Sequence, residues 1–445
     1  MSNFYRGLIG AALVGATTLS TSAVVHAADA VIDALSGGKV SGNFRLRFED
    51  VDVDSKTLNG ASALTLRSRL GFETAPLYGV TALLEFEDTR VVGGRDDYAP
   101  EDKNSKLPAS NPYDRAAIVD PEQTEINRAY LRYRGVPKLD VAVGRQRINI
   151  DNQRFIGSVG WRQNEQTFDA FSAGYQGVPD WNFYYAYIER VKGIAHEKPL
   201  YNFDIDSSDN LFNIAYSGLT FGKLSAYGYF LNNQEPGTAL RNVAPDVNDL
   251  NPALRYKSND TYGLRFDGSY VLSISMPIKL LYTAEYAKQE LTNPAGVEFD
   301  THYSQLEAGA AYTAKSGVWS AKVAQEVLGS DDGKQGFQTP YATKHAFNGW
   351  VDMFLNTPLA GLQDRYATLA GDLQPLGVKV MLMYHQYSKD KGAGDFGDEW
   401  NAQVLKQFGP NYTLGVKYGS YRADKDVATL IGTTANIDTK KLWLW

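Results

Sequence analysis

A two-residue rhythm constrains this chain more than any other feature. In 40–48, Val40, Phe44, Leu46 and Phe48 point one way, and Arg45 and Arg47 the other. The same alternation sets Leu64, Leu66, Leu70 and Phe72 against Arg67, Arg69 and Glu73. It recurs in 262–272, 278–288 and 412–418, always with one apolar, often aromatic face and one charged face. The links between such segments sort by length. Tight turns fall near 74–79, 135–138, 177–180, 218–222, 272–277, 314–317, 373–377 and 408–411. Longer polar links lie near 50–61, 92–123, 148–166, 191–207, 234–258, 291–299, 329–362, 389–397 and 424–436. Eight short turns alternating with nine long links predict about 18 strands. A soluble sandwich has no reason to sort its loops by end. The pattern predicts an all-β fold, a transmembrane antiparallel up-and-down β-barrel with short periplasmic turns and long extracellular loops. Closure is what lets strands cross lipid, because it leaves no unpaired backbone edge.

The start of the chain reads as an address. Arg6 precedes an apolar run from Leu8 to Leu19, and Val25-His26-Ala27 offers small residues for cleavage before Ala28. Residues 1–27 are therefore expected to be a signal peptide and 28–445 a single barrel domain in the Gram-negative cell outer membrane, contacting its lipid and lipopolysaccharide. About a dozen residues separate the expected cleavage point from the first strand, too few for a large N-terminal plug. Without its first 27 residues the chain carries 43 basic and 51 acidic side chains, a balance that argues against nucleic acid as a partner. Cysteine is absent, and 28 Tyr and 20 Phe supply the aromatic girdles such a barrel needs at its two interfaces. The chain ends on the bare strand Lys440-Lys441-Leu442-Trp443-Leu444-Trp445, with Trp in place of the commoner terminal Phe.

A barrel this wide is expected to hold a water-filled lumen. Arginine is concentrated early, at Arg45, Arg47, Arg67, Arg69, Arg128, Arg132, Arg134, Arg145, Arg147, Arg154 and Arg162. In 126–134, Arg128, Tyr130, Arg132 and Arg134 share a face opposite Ala129, Leu131 and Tyr133. An arginine at mid-bilayer on the lipid face costs about 2–4 kcal/mol, so this face is expected to be the lumen. Fixed guanidinium forks suit carboxylates or phosphates in transit. Alternatively, the same arginines pair with Glu49, Glu73, Glu85, Glu87 and Glu125 and leave a balanced, weakly selective wall. The amide- and arginine-rich link 148–166 either folds inward to narrow the pore or stands as a solvated surface loop.

Gly144-Arg145-Gln146-Arg147-Ile148, Asp151-Asn152-Gln153-Arg154-Phe155 and Trp161-Arg162-Gln163-Asn164-Glu165-Gln166-Thr167-Phe168-Asp169 resemble the alginate export family of outer-membrane porins. So do His345-Ala346-Phe347-Asn348-Gly349-Trp350 and Gly361-Leu362-Gln363-Asp364. The resemblance implies an eighteen-stranded barrel with an arginine-rich constriction, a polyuronate cargo and a periplasmic scaffold lipoprotein as partner. It matches Arg145, Arg147, Arg154, Arg162, Glu165 and Asp169 to the family block without assigning the constriction. The expected function is passive diffusion of anionic sugars or polyuronates such as alginate; the alternative is a weakly selective porin importing other small organic solutes.

Other signals are weaker. Asp50-x-Asp52-x-Asp54 lacks the glycine and glutamate of a calcium loop, having Ser55 and Ala61 in those places. Asp204, Asp206 and Asp209 cluster similarly and read as a solvated acidic loop, the alternative being a cation that bridges an outer loop or lipopolysaccharide. His302 and Ser304 share a strand face at the spacing of a membrane-embedded hydrolase, but no orienting group or Gly-x-Ser-x-Gly turn accompanies them. His385 is expected in an interfacial aromatic belt. No metal, cofactor or catalytic set is predicted.

Overall fold

The computed structural model describes residues 21–56, 58–93, 115–195, 204–234, 256–272, 277–424 and 436–445. The helix α1 (Thr21–Ser36) runs through the expected cleavage junction and meets the barrel where the Ala75 amide donates to the Ala34 carbonyl (2.9 Å). The apolar run Leu8 to Leu19 lies outside the described residues, as do the middles of the links near 92–123, 191–207, 234–258 and 424–436 and most of the turn near 272–277.

The wall is built from β1 (Lys39–Val53), β2 (Ala61–Glu73), β3 (Val80–Gly93), β4 (Gln123–Tyr133), β5 (Leu139–Gln146) and β6 (Thr167–Tyr175), then β7 (Trp181–Lys192), β8 (Ile205–Leu219) and β9 (Gly222–Asn232). It continues through β10 (Ser258–Val271), β11 (Ile278–Thr292), β12 (Glu298–Ala314) and β13 (Gly317–Leu328). A two-residue ladder, β14 (Ser330–Asp331) with β15 (Gln335–Gly336), sits within the next loop. β16 (Leu362–Leu373), β17 (Val378–Ser388), β18 (Asp395–Phe408), β19 (Tyr412–Ala423) and β20 (Thr439–Leu444) complete the circuit. β20 pairs antiparallel with both β19 and β1, so the eighteen-stranded sheet closes.

Connections at one end are two to six residues long, and those at the other reach 33 residues at 329–361. Two links expected to be long, near 291–299 and 389–397, shrink to 293–297 and 389–394. There the ladder runs on past the apolar segment, to Thr292↔Glu298. Above the bilayer a strand can carry polar residues on both faces, so polarity does not mark its end.

The alternation holds along the wall. Val40 is 82% exposed, Phe44 67% and Leu306 65%, all on the lipid-facing side. Arg47, Arg67, Arg69, Glu85, Glu87, Glu285 and Lys417 turn inward and are buried. The lumen is not an open bore, because residues 147–166 and 329–361 fold into it. Ile148, Phe155, Ile156, Phe337, Tyr341, Met353 and Phe354 from these loops pack with Tyr227, Tyr303, Tyr387 and Tyr421 of the wall in one apolar cluster. Phe155 lies 5.2 Å from Tyr303 and 5.9 Å from Phe337 between ring centroids. Burying such rings is what holds a polar-rich loop off the solvent.

Candidate functional site

The infolded loop 147–166 is pinned at each end to a different part of the wall. Asp151 accepts from Asn213 (2.8 Å) and from Lys223 (3.0 Å). Arg154 is buried and bound to Glu326 on β13 (2.7 Å) and to Asn348 (2.9 Å). Arg162 is buried between Glu49 on β1 (3.1 Å) and Asp352 (2.8 Å). Burial alone would lower both guanidinium pKa values, but Glu326 for Arg154, and Glu49 with Asp352 for Arg162, outweigh it and hold them raised. Val159 sits at φ 53°, a strained conformation for a β-branched residue, and its amide donates to the Thr343 hydroxyl of the second loop (3.1 Å). Gln163 reaches the Thr65 hydroxyl (2.7 Å), and Thr89 donates to Asn164 (2.7 Å).

Most of the wall arginines are compensated. Glu85 accepts from Arg128 (2.6 and 2.8 Å) and Asn127 (2.9 Å); Glu165 accepts from Arg147 (2.5 Å) and Asn127 (2.7 Å) and lies 3.3 Å from Arg69. Arg69 also binds Glu87, and Arg47 binds Asp120 and Glu49. Arg145 holds Asp169 bidentately at 2.7 and 3.0 Å, while Arg132 and Arg134 share Asp140. A bulge opposite Glu85–Phe86 turns both Asn127 and Arg128 inward. Glu73 lies exposed at the lower end of β2.

Arg45 and Arg67 differ. They face each other directly across the β1–β2 ladder. Among the described residues neither has a carboxylate within ion-pair distance. Arg45 donates to the Gln163 amide (2.8 Å) and to the Gly160 and Arg162 carbonyls; Arg67 donates to Asn43. Like charges directly opposite in a ladder repel.

The second loop, 329–361, docks by aromatic and neutral contacts together with the ion pairs of Asp352 to Arg162 and to Lys441 (3.6 Å). His345 stacks on Trp161 at 4.5 Å and 2°, and Lys417 lies 3.9 Å above Trp161 and 4.1 Å from Trp350. Burial pushes His345 down to about 3, with Asp352 opposing and Lys417 reinforcing the shift. A neutral ring fits both contacts: Nδ1–H donates to Asp352 (2.7 Å) and Nε2 accepts from Lys417 (3.1 Å). Burial works against charge on Asp352, but His345, Lys441 and Arg162 hold its carboxyl well below the usual range. Gly349, at φ 85°, permits this approach, since a Cβ there would strike the Tyr387 hydroxyl and the Glu399 carboxylate.

Two cavities stand out among the described residues of the lumen. A chamber of about 1380 Å³ opens toward the short turns and is lined by Arg128, Arg132, Arg134, Arg147, Asp151 and Lys223. A smaller pocket of about 270 Å³ lies toward the long loops, walled by Val51, Val53, Ala116, Ile194, Met353 and Leu355, with Arg162, Lys344 and Lys441 among them. Between the two runs Arg162–Gln166. Lys344 donates to Asn356 (3.1 Å), and burial followed by Arg154 lowers it to about 8.

The structure thus brings Arg45, Arg47, Arg67, Arg69, Arg147, Arg162 and Glu165 together, with Arg128 beside them. Arg132 and Arg134 lie at the inner mouth, and Arg145 with Asp169 closes the β5–β6 ladder. Arg154 stands apart at Glu326. One expectation is corrected: His385 is not in an outer belt but buried inside, 3.0 Å from Asp364 and stacked beside Tyr366 and Tyr387. It alternates with the outward Tyr384 and Gln386. Lys344, Asp352, Glu326, Asp120 and Asn127 make lumen contacts that sequence reasoning missed. Only the block beginning at His345 drew notice.

A family model for alginate export matches residues 39–323. The chain belongs to the alginate export family. No curated protein matches it. Its fold is shared with solved outer-membrane proteins: OccK9 (OpdG) of Pseudomonas aeruginosa, TM-score 0.64, 13% identical over 92% of this chain and 98% of that one. OpdK of Pseudomonas aeruginosa, solved with vanillate, gives 0.61 and 15% over 92% and 97%. OccAB3 of Acinetobacter baumannii gives 0.63 and 14% over 92% and 98%.

As an alginate export family barrel, the protein resides in the Gram-negative outer membrane, in contact with its lipids, and is a channel for small solutes. Family and fold point to a channel rather than an enzyme. His302 faces outward and stacks on Tyr286 (6.4 Å), with no acid in ion-pair distance among the described residues. The Asp204, Asp206 and Asp209 trio separates: Asp204 binds Lys192, Asp206 binds Arg190 (2.5 Å), and Asp209 turns inward to Tyr341 (2.9 Å).

Proposed function

We propose that this channel selects small organic anions, with apolar-bodied carboxylates as the best-fitting class. The observation that carries the reading is the pair Arg45 and Arg67, directly opposed in the ladder with no carboxylate in ion-pair distance among the described residues, set among arginines that make ion pairs. A passing carboxylate would relieve their mutual repulsion, and charge-assisted forks bind such groups bidentately. The path we infer runs from the outer pocket, past Lys344 and Arg162, to Arg45 and Arg67, and into the chamber of Arg147, Arg128, Arg132 and Arg134. Several weak cationic stations serve transport better than one tight site, because the solute must also leave. The apolar wall of the outer pocket would favour a ring or short alkyl body over a sugar. The vanillate solved with OpdK is an aromatic carboxylate and agrees with this class.

The family match favours a second reading, passage of a polyuronate with a periplasmic lipoprotein partner. It would require displacement of residues 329–361 from the lumen. Flux into proteoliposomes separates the readings. Benzoate and gluconate should enter faster than glucose, and Arg45→Ser with Arg67→Ser should bring both down to the glucose rate. Equal rates in the unmodified protein would refute anion selection, and a uronate tetramer entering as fast as gluconate would favour the second reading. The reading also takes 1–27 as a cleaved signal, so N-terminal sequencing of the membrane-extracted protein should begin at Ala28.

A further inference from the structure

The outer wall carries a concavity of about 700 Å³ between β10 and β17. It follows one hydrogen-bonded row, Phe266↔Ala284↔Leu306↔Gln325↔Arg365↔Gln386. Strands of such barrels tilt by about 35–45°, so a row across them slopes through the bilayer. Phe266 lies five residues from the lower end of β10, whereas Arg365 lies three residues from the upper start of β16. The concavity therefore descends from the outer-leaflet side toward the membrane interior. Its floor is shallow because Ala284, Ala308 and Ala367 replace larger side chains. Phe266, Tyr282, Leu306, Val323 and Tyr384 stand as its apolar walls.

Unpaired charge is placed at the top, since Glu307, which also borders the concavity, is paired with Lys322 (2.9 Å). Elsewhere on the outer face, arginines near the long-loop end are neutralised within the wall: Arg90 by Asp88 (2.7 Å), Arg190 by Asp206 (2.5 Å) and Arg422 by Asp398 (2.7 Å). Arg365 is exposed, flanked in register by Gln325 and Gln386, and meets no carboxylate among the described residues. A guanidinium fork between two amides, at headgroup level above an apolar trough, has the donor set of a phosphate site.

We propose that this groove binds one lipid A moiety of lipopolysaccharide, a phosphate held by Arg365 between Gln325 and Gln386 and an acyl chain laid over Ala308 and Ala284. Lipid A is the occupant because Arg365 stands on the side of the long loops, which face the outer leaflet. The site is independent of what the lumen passes.

Native mass spectrometry of the detergent-extracted barrel tests it, titrating bis-phosphorylated lipid A against phosphatidylglycerol. Lipid A should be retained as a single adduct under conditions that strip phosphatidylglycerol. Arg365→Gln should weaken retention by about tenfold, the order of one charged hydrogen-bonded contact. Ala308→Phe, which fills the trough and leaves the charge, should weaken it as well. Both variants should keep the heat-modifiable folded band and wild-type conductance, so lost retention cannot be blamed on misassembly. Equal retention of the two lipids, preference for phosphatidylglycerol, or undiminished retention by Arg365→Gln would overturn the proposal.

Discussion

The two infolded loops share the Arg162–Asp352 ion pair but are otherwise held by different mixtures of charged and neutral contacts. Residues 147–166 lie mainly against β1–β6, where guanidinium groups meet carboxylates at Glu49, Glu85, Glu87 and Glu165, while Asp151 reaches β8 and β9 and Arg154 reaches Glu326 on β13. Residues 329–361 lie against β13 and β16–β20, where buried acids are satisfied by neutral donors as well as cations. Glu326 accepts from Tyr303 (2.7 Å) and Asn348 (2.6 Å), Glu399 accepts from the Val351 amide (2.9 Å), and Asp364 meets His385. Ion pairs made in a closed interior must offset a large desolvation cost, so removing one partner is severe. Neutral hydrogen bonds are weaker, and a loop held by them yields to smaller perturbations. The first loop should therefore act as a fixed collar, and the second as the element that can be loosened.

The largest expected effect breaks the collar. Arg154→Met leaves Glu326 buried with only neutral donors, and should cost about 3–5 kcal/mol of unfolding free energy, the range for one deleted partner of a buried pair. Urea titration of the folded band in detergent reads it. A change below about 1 kcal/mol would mean that the Arg154–Glu326 pair does not fix the first loop.

Acid should loosen the second loop next. His345 has its folded-state pKa depressed from 6.5 to about 3, so between these values the unfolded chain binds more protons. The stability His345 contributes is present above pH 6.5 and is lost as pH falls toward 3, with a slope approaching about 1.4 kcal/mol per pH unit. Stability measured from pH 7 to 4 should decline less steeply in His345→Gln. Parallel curves would remove His345 from the docking of this loop.

Much of the fold was legible beforehand, and little of the site. Strand faces are dictated locally, because hydrocarbon penalises each wrong side chain in turn. Val40, Phe44 and Leu46 could be placed from the sequence alone. The partner of a buried arginine is not local. Arg154 meets Glu326 across 172 positions, and Arg162 meets Glu49 across 113. Nothing in the spacing announces those pairs, and so nothing distinguished Arg45 and Arg67 from the compensated arginines around them. His385 shows the same limit: beside Tyr384 it read as interfacial, yet alternation turns it inward to Asp364.

A smaller effect sharpens the contrast between the loops. Lys344 titrates near 8, inside the range a channel recording can sweep. Anion preference should fall modestly as pH rises from 6 to 9.5, and Lys344→Met should show the lower preference at every pH. A pH-independent preference in the unmodified protein would exclude Lys344 from the path.

Reversal potential across a planar bilayer in a potassium chloride gradient bears most directly on the uncompensated arginines. The account predicts an anion-preferring potential that moves toward zero when Arg45 and Arg67 are both replaced by Ser. A cation-preferring potential in the unmodified protein, or an anion preference indifferent to that double replacement, would contradict it.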